Sequence, residues 1–549
     1  MRKFIVVLLP ALLILMTTCK LKNSKVDIIV HNARIYAVDS SWTMASAMAI
    51  KSGKIEALGS DEDILGAFDA TEVIDLGGAI VYPGFIDAHC HFLSYGLGLI
   101  QRADLRGTGS FEEVLERVSL HHQNNPRLWV EGRGWDQNDW EIKDFPDKGR
   151  LDELFPDVPV ILTRIDGHAA LVNSEALRRA GISASTRVTG GEVLLKDGEP
   201  TGILIDNAIN LVTAVIPDPD TKTKTEALLS AAEHAHAAGL TGLYDAGTYL
   251  ANIRLIDSLQ QSGKLKMRVQ AMLTPYDPDF EAAFAAGKIS KERLKVNSVK
   301  LYSDGALGSR GAALLEPYSD DPGNTGLILH PEEYYHDICK RAYDEGFQVN
   351  THAIGDRGNR FILEIYSKYL EGKNDRRWRV EHAQVVHPDD FGMFGKYSII
   401  PSIQATHATS DMYWAGERLG SERLKHSYAY QELLKQNGWL PNGTDFPIER
   451  IEPLLTFYAS VARKDLDGWP EGGFQMENAL SREQALKSIT IWAAKAGFAE
   501  PETGSLEPGK QADFVVLDQD LMEVPEKELP EIRILYTFIA GEKVFSSMD

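Results

Sequence analysis

The chain has 549 residues, which exceeds the usual size of a single hydrophobic core, so two or three structural units are expected. Hydrophobic residues make up 44% and charged residues 25% of the sequence, as is typical of globular proteins. The formal net charge of -22 argues against nucleic acid as a partner, because a polyanion would be repelled.

The N-terminal region has the pattern of a targeting segment. Two basic residues precede an apolar stretch at residues 4–16, which is shorter than a typical membrane-spanning helix. Residues 1–19 resemble a bacterial lipoprotein signal that ends at Cys19, although Met16 and Thr18 depart from the usual residues at their positions. The resemblance implies export to the bacterial cell envelope, with a lipid anchor on Cys19 as the only membrane contact. A soluble periplasmic or secreted protein is the alternative.

Both ends of the chain beyond the targeting segment have the texture of β-strands and tight turns. Near the N-terminus this texture appears in DIIVHNARIYAVD and AMAIKSGKIEALG, and near the C-terminus in ADFVVLDQD and ILYTFIAGEKVF. One composite β-sandwich built from both ends is the simplest arrangement. It is predicted to comprise residues 25–82 and 500–549.

The central part of the chain alternates short apolar strands with helical stretches, which is the pattern of an α/β fold built from βα units. Eight such units predict a (β/α)8 TIM barrel at residues 83–91 and 225–499. The predicted strands are GFIDAH, TGLYDAG, RVQAMLTP, SVKLYSDG, QVNTHAIGD, WRVEHAQ, IIPSIQATH and LPNGTDFP.

The spacing of the first and fourth strands predicts an insertion. A barrel uses about 30 residues per unit, so these strands should lie about 95 residues apart. His89 and Lys300, one on each strand, are separated by 211 positions. An insertion subdomain is therefore predicted after the first barrel strand, at residues 92–224.

The first predicted barrel strand ends in the sequence His-Cys-His. Alternate residues of a strand share a face, so Asp87, His89 and His91 point to one side and Cys90 to the other. Two imidazoles at this spacing can converge on one metal ion, with Asp87 behind them and Cys90 in the packing. A pair of ordinary core histidines is the alternative.

Three more candidate ligands stand near the ends of later strands. His352 and His382 are one βα unit apart, and Asp445 follows two units later. Active sites of such barrels lie at the C-terminal ends of the strands. Imidazole nitrogens and carboxylate oxygens in phase with the barrel suit zinc or a similar divalent ion.

A series of motifs runs through nearly the whole chain: PGFIDAHCH, GRGWDQNDW, RIDGHAALVNSEAL, GEPTGILID, VKLYSDGALGSRGAAL, HAIGDRGNR, VEHAQ, SIQATHATSDMYWAGERLG, NGTDFPIE and GSLEPGKQADFVVLD. In these motifs the sequence resembles the amidohydrolase superfamily, and within it amidohydrolase family 3, the YtcJ-like branch related to N-substituted formamide deformylases. The resemblance implies a (β/α)8 barrel with a composite β-sandwich.

The resemblance also implies a set of metal ligands, which are His89, His91, Lys300, His352, His382 and Asp445. Lys300 matches a lysine that CO2 converts to a carbamate bridging two metal ions, and Asp445 matches an aspartate that is both ligand and general base. Without the resemblance, Lys300 would be interpreted as an anchor for an anionic substrate, and this alternative stays open. Strand alternation predicts that Glu381 points outward beside the helices.

The implied cofactor is one or two divalent ions, with zinc as the first choice. Such an ion lowers the pKa of bound water to about 7, so metal-bound hydroxide is expected to attack a carbonyl carbon. Asp445 would take the proton and pass it to the leaving nitrogen. The prediction is hydrolysis of a non-peptide C–N bond in a small amide, N-acyl or N-formyl compound.

Two other functions are compatible with the sequence. A metal-dependent esterase, lactonase or deaminase could use the same barrel, because fold and metal do not determine the leaving group. A catalytically dead barrel in a surface-binding lipoprotein is the other alternative. Association as a homodimer is left open.

Six further residues lie in family-like motifs and are predicted to line a substrate pocket between the insertion and the barrel. They are Trp135, Asp136, Asp166, His168, Arg310 and His407. His407, on strand seven, is predicted to bond the substrate or the transition state. The alternative is that the tryptophan packs and that the arginine and aspartates pair with one another.

Overall fold

The computed structural model of the chain describes residues 24–548 except 166, 168, 189, 190 and 309. The predicted export signal and Cys19 lie outside the described residues. Four sheets organise the described part of the chain. None of the helices in this part is both long and apolar enough to cross a membrane.

The N-terminal segment is mainly β-structure. Its elements are β1 (Ser24–His31), β2 (Arg34–Tyr36), β3 (Met44–Ala45), β4 (Ala47–Lys51), β5 (Lys54–Gly59), α1 (Asp61–Ala67), β6 (Phe68–Asp75) and β7 (Ile80–Pro83). The strands β5-β4-β1-β6 form one sheet, in which β1 runs antiparallel to β4 and parallel to β6. Ser60 begins α1, because its hydroxyl accepts the backbone N–H of Asp63.

After the first barrel strand the chain forms an insertion with its own sheet. The first barrel strand is β8 (Phe85–Cys90). The elements after it are α2 (Phe92–Gln101), β9 (Arg102–Asp104), α3 (Phe111–Asn124), β10 (Val130–Trp135), α4 (Gly149–Leu154), β11 (Val160–Arg164), β12 (Ala169–Val172), α5 (Ser174–Arg179), β13 (Gly191–Lys196), β14 (Glu199–Asp206) and α6 (Asn207–Thr213). The insertion sheet has the order β13-β14-β12-β11-β10-β9. Ile161 and Leu162, adjacent on β11, belong to different apolar clusters, so both faces of this sheet are covered.

The chain then returns to the barrel. Its elements are α7 (Thr221–Ala237), β15 (Leu240–Thr248), α8 (Leu250–Gln261), β16 (Arg268–Leu273), α9 (Phe280–Ala285), β17 (Ile289–Ser290), β18 (Leu294–Tyr302), α10 (Glu332–Glu345), β19 (Gln348–Ala353), α11 (Asp356–Ser367), β20 (Arg379–His382), α12 (Phe391–Tyr397), β21 (Ile400–Ser402), α13 (Ala405–Asp411), α14 (Ala415–Leu424), α15 (Tyr430–Asn437), α16 (Pro453–Ala462), α17 (Arg482–Ser488) and α18 (Ile491–Ala496). Seven parallel strands follow in the order β8-β15-β16-β18-β19-β20-β21.

The predicted eighth strand lies between β21 and β8, although it is not a regular strand. On one side the Ile403 N–H donates to the Pro441 carbonyl at 3.0 Å, and on the other the Ala88 N–H donates to the Asn442 carbonyl at 3.2 Å. A Cβ atom on Gly443 would lie 2.5 Å from the backbone nitrogen of His89, so only glycine fits there. These contacts close the barrel at its eighth position.

The C-terminal segment completes a second sheet with N-terminal strands. It contains β22 (Phe514–Leu517), β23 (Ile534–Ile539) and β24 (Glu542–Ser546). The sheet has the order β24-β23-β22-β7-β2-β3, and β22 pairs antiparallel with β7. The two terminal sheets share an apolar core that includes Val30, Ile50, Val81, Phe514 and Phe538. The predicted fold class, a (β/α)8-type barrel with a composite β-sandwich from both termini, is confirmed.

A buried ion pair joins the barrel to the sandwich. Arg268, at the start of β16, donates from Nε to Asp513 Oδ2 at 2.6 Å and from Nη2 to Oδ1 at 3.1 Å. Asp513 also accepts the backbone N–H of Ala540 at 2.8 Å. The side chain of Asp513 is only 4% exposed, so its buried negative charge is stabilised chiefly by this arginine.

We expect Asp513→Ala to destabilise the protein by about 3 kcal/mol, because it leaves Arg268 buried without its partner. The measurement is the midpoint of urea unfolding. Glu542→Gln is the matched control, since it breaks the exposed Lys266–Glu542 pair between the same two units. That control should cost less than about 1 kcal/mol. Equal effects of the two substitutions would contradict the assignment.

Candidate metal centre

The first half of the site is built where β8 meets the eighth barrel segment. The rings of His89 and His91 are 5.7 Å apart between centroids. Asp445 Oδ1 lies 3.3 Å from His91 Nε2 and 3.6 Å from His89 Nε2. Asp87 accepts the His89 N–H at 3.0 Å and the Thr444 hydroxyl at 2.7 Å, so it fixes both segments. The two predicted histidines therefore face the predicted aspartate.

The second half of the site is built from the ends of β19 and β20 and the start of α13. The His352 and His382 rings are 4.6 Å apart between centroids, and those of His382 and His407 are 5.7 Å apart. His407 Nε2 lies 3.6 Å from Asp445 Oδ2. Ligand atoms of His382, His407 and Asp445 lie within 4.8 Å of one another, as do those of His89, His91 and Asp445. Asp445 is thus common to both groups.

Unusual backbone angles bring two of these side chains into the barrel mouth. His382 has a φ of 72° and Asp445 a φ of 61°, which are left-handed values that residues other than glycine rarely adopt. Such a conformation costs of the order of 1 kcal/mol or more and is concentrated at functional sites. At His382 it ends the regular alternation of β20.

The prediction that Glu381 points outward is wrong. Glu381 is fully buried, and its Oε2 accepts a hydrogen bond from His89 Nδ1 at 2.5 Å. Arg379, two residues earlier on the same strand face, donates to it. The turn at His382 allows Glu381 and His382 to face the interior although they are adjacent. The sequence did contain a signal for an inward Glu381, namely an arginine and a glutamate two positions apart in the predicted barrel strand RVEH.

Lys300 lies beside the first histidine. Its Nζ is 3.0 Å from His89 Nε2 and 4.7 Å from the centroid of the Tyr302 ring. The residue is 1% exposed, and burial lowers the pKa of its ammonium group to about 8. Among the described residues, no carboxylate pairs with it. Its placement at the mouth agrees with the predicted strand phase.

The residues of the mouth fit a divalent metal ion. Three buried polar atoms of the candidate ligand side chains have no hydrogen-bond partner among the described residues, namely His382 Nδ1, His407 Nε2 and Asp445 Oδ1. Burial lowers the pKa of His89 to about 4, so this imidazole is neutral, as a ligand must be. Burial raises the pKa of Asp445, but the surrounding histidines more than offset this and hold it well below its usual value. Neutral imidazoles with a carboxylate are a typical donor set for zinc.

Three of the predicted substrate-binding residues have their described contacts elsewhere. Trp135 is buried in the insertion and donates from Nε1 to the Leu162 carbonyl at 2.8 Å. Asp136 Oδ1 accepts from Arg164 at 2.5 Å. Arg310 pairs with Asp320 at 2.8 Å. His407 alone of the described candidates lies in the metal centre.

Two further predicted substrate-binding residues, Asp166 and His168, lie outside the described residues. The substrate-binding roles of all these residues therefore stay predictions.

Asp304 is a site residue to which sequence reasoning assigned no role. Its carboxylate is buried and accepts backbone N–H groups of Ala313, Ile354 and Gly355 at 2.8–3.0 Å. Its Oδ1 also lies 3.7 Å from His352 Nε2. In the sequence, Asp304 shares a strand face with Lys300, and this shared face was the signal that could have identified it as a site residue. Asp304 holds the ends of β18 and β19 in place.

Imidazoles and a carboxylate at the C-terminal ends of barrel strands define a metal-dependent hydrolase of the barrel type. The family model described as "Amidohydrolase family" matches residues 72–545. The chain belongs to this family, as its motifs predicted.

Three relatives each align with 94% of the chain. Protein LONG AFTER FAR-RED 3 of Arabidopsis thaliana is 35% identical over 538 residues, which cover 91% of that protein. The putative amidohydrolase YtcJ of Bacillus subtilis (strain 168) is 32% identical over 525 residues, which cover 98% of it. The N-substituted formamide deformylase of Arthrobacter pascens is 28% identical over 539 residues, which cover 97% of it.

A solved structure supports the same assignment. The crystal structure of an uncharacterized metal-dependent hydrolase from Pyrococcus horikoshii OT3 is similar, with a TM-score of 0.78 and 29% sequence identity. The match covers 91% of this chain and 99% of that one.

We expect His382→Ala to weaken zinc binding by more than about 100-fold, because losing a ligand costs more than the 10- to 100-fold typical of an outer partner. The measurement is zinc content after dialysis against graded chelator concentrations. His234→Ala is the control, since the side chain of this exposed histidine on α7 has Tyr95 as its one described hydrogen-bond partner. Equal zinc retention by both variants would exclude His382 as a ligand.

Proposed function

We propose that this chain hydrolyses a non-peptide C–N bond in a small amide of the N-acyl or N-formyl type. The observation that carries the proposal is the position of Asp445, whose carboxylate oxygens lie 3.3 Å from His91 Nε2 and 3.6 Å from His407 Nε2. One buried carboxylate thus borders both halves of the site. The likeness to an N-substituted formamide deformylase supports a C–N bond as the target.

The chemistry of amides explains why such a carboxylate is needed. An amine leaves readily only after protonation, so amide hydrolysis requires a group that takes a proton from water and returns it to nitrogen. The carboxylate of Asp445 is buried at the centre of the site, and although burial raises its pKa, the surrounding histidines hold that pKa well below the usual value, so it is ionised and able to take a proton. Asp445 is therefore the general base and then the general acid.

The proposed metal ligands are His89, His91, His352, His382, Asp445 and a carbamate formed on Lys300. They would hold one or two divalent ions, with zinc as the first choice. When bound, these ions supply Lewis acidity and acidify water. The carbamate is supported by the burial of Lys300 beside His89 and by the lack of an ion pair to it among the described residues.

His407 has a separate role in this proposal. Within the described part of the chain its Nε2 is buried without a hydrogen-bond partner, and it lies 3.6 Å from Asp445 Oδ2, the oxygen that does not face His91. A donor there can bond the substrate carbonyl oxygen, where negative charge develops in the transition state. His407 therefore orients the substrate carbonyl and stabilises that charge.

The test is a hydrolysis screen of N-formyl amines, N-acyl amines, esters and lactones with the zinc-loaded protein. We expect amides to be hydrolysed with the highest kcat/KM. Asp445→Asn should lower kcat by about 100- to 10,000-fold, because it removes the proton acceptor. Zinc content is measured in parallel. An Asp445→Asn variant that holds zinc and turns over normally would contradict this role, and ester or lactone preference would overturn the C–N assignment.

Lys300→Ala should lose most of its activity and part of its metal content, because no carbamate can form. A short carboxylic acid such as acetate should restore part of the activity by supplying the missing oxygens. Lys295→Ala is the matched control, since Lys295 lies on the same strand and pairs with Glu502. A Lys300→Ala enzyme that binds metal and works normally without added acid shows that no carbamate is required.

A further inference from the structure

We propose that Arg379 and Glu381 are positioning residues that hold His89 in the tautomer with its proton on Nδ1, so that Nε2 faces the metal ion. The inference rests on the proposed metal centre but not on which bond the enzyme cleaves. All three side chains are fully buried in the barrel interior.

The three side chains form a continuous chain of hydrogen bonds. Arg379 donates from Nε to Glu381 Oε1 at 2.6 Å and from Nη2 to Oε2 at 2.9 Å. Glu381 Oε2 in turn lies 2.5 Å from His89 Nδ1, which is hydrogen-bond distance. The two oxygens of Glu381 are thus shared between one guanidinium and one imidazole.

The chemistry of the carboxylate selects the tautomer of His89. An ionised carboxylate only accepts hydrogen bonds, so the imidazole nitrogen that faces Glu381 carries the proton. The other nitrogen, Nε2, then carries no proton, so its lone pair can bind a metal ion. Nε2 is the atom that lies 3.0 Å from Lys300 Nζ and 3.6 Å from Asp445 Oδ1, within the proposed metal centre.

Arg379 also fixes the position of this arrangement in the barrel. Its Nη2 donates to the carbonyl of Ala88, the residue before His89, at 2.6 Å and to Ser402 Oγ at 3.0 Å. Its guanidinium carbon lies 5.3 Å from the centroid of the Tyr244 ring. The arginine therefore ties Glu381 to the strand that carries His89.

Stability alone does not account for charges at this place. A fully buried ion pair can often be replaced by apolar residues of similar size without loss of stability. Carboxylates that accept from metal-ligating histidines orient the ring and tune metal affinity. The geometry therefore assigns Arg379 and Glu381 to the orientation of His89.

The test measures zinc affinity by chelator competition and stability by urea unfolding. Glu381→Gln should weaken zinc binding by about 10- to 100-fold, because the amide can donate to Nδ1 and favour a proton on Nε2. Glu500→Gln is the matched control, since Glu500 pairs with Arg377, two positions before Arg379. It should leave zinc affinity unchanged.

The double variant Arg379→Met/Glu381→Leu separates positioning from structure. It removes both charges together, so its stability should return close to that of the wild type, while its zinc affinity should stay reduced. If stability and zinc affinity recover together, the pair is only structural and the proposal is overturned. Because zinc affinity is measured without substrate, this result is independent of the proposed amide hydrolysis.

The wild-type protein provides a further test, in which a substitution serves only to assign signals. Long-range proton–nitrogen correlation spectra of the metal-free protein report which nitrogen of each histidine carries a proton, and His89→Gln assigns the His89 signals. We expect a protonated Nδ1 and a bare Nε2. A protonated Nε2 in the metal-free protein would overturn the proposal.

Discussion

The contact between β8 and the segment at residues 440–445 is the constraint on which the metal centre depends. Asp87 and Thr444, which are 357 positions apart, are joined by a side-chain hydrogen bond of 2.7 Å. The Asp445 N–H donates to the His89 carbonyl at 2.8 Å. Since Gly443 leaves no room for a side chain, the two backbones approach closely enough for Asp445 to face both histidines of β8. The contacts that close the barrel therefore also place Asp445 beside the two histidines.

This arrangement places polar atoms where protein partners do not satisfy them. Each buried polar atom without a hydrogen bond costs about 1–3 kcal/mol. His382 Nδ1, His407 Nε2 and Asp445 Oδ1 are all in this situation among the described residues. Coordination of a cation would offset that cost, and a ligand that binds only the folded state stabilises it. The site is thus costly by itself and favourable with its metal ion.

Periodic features of the sequence were sufficient to predict the barrel and to place several histidines and an aspartate near strand ends, whereas the full ligand set with Lys300 came from the family resemblance. Strand spacing placed eight βα units, and strand phase put His89 and Lys300 in the interior. Alternation failed at Glu381 because it assumes regular strand geometry, and His382 leaves that geometry with a φ of 72°. The partners of Trp135 and Arg310 depend on packing between distant segments, which no local pattern in a single sequence reports.

The loops around the barrel mouth explain why the metal centre is easier to predict than the substrate. Arg310, in the loop after β18, pairs with Asp320, which also pairs with Arg418 of α14. Trp414 packs close to Gly308 in the same loop. The loop after β18 is therefore joined to the start of α14, and the guanidinium of Arg310 is engaged in that contact. The proposed metal ligands lie at or near strand ends, at positions that the barrel sets, whereas in barrel enzymes selectivity generally resides in the loops. Side chains that select a substrate are therefore harder to identify from the sequence than the candidate ligands, because their positions depend on packing between distant segments.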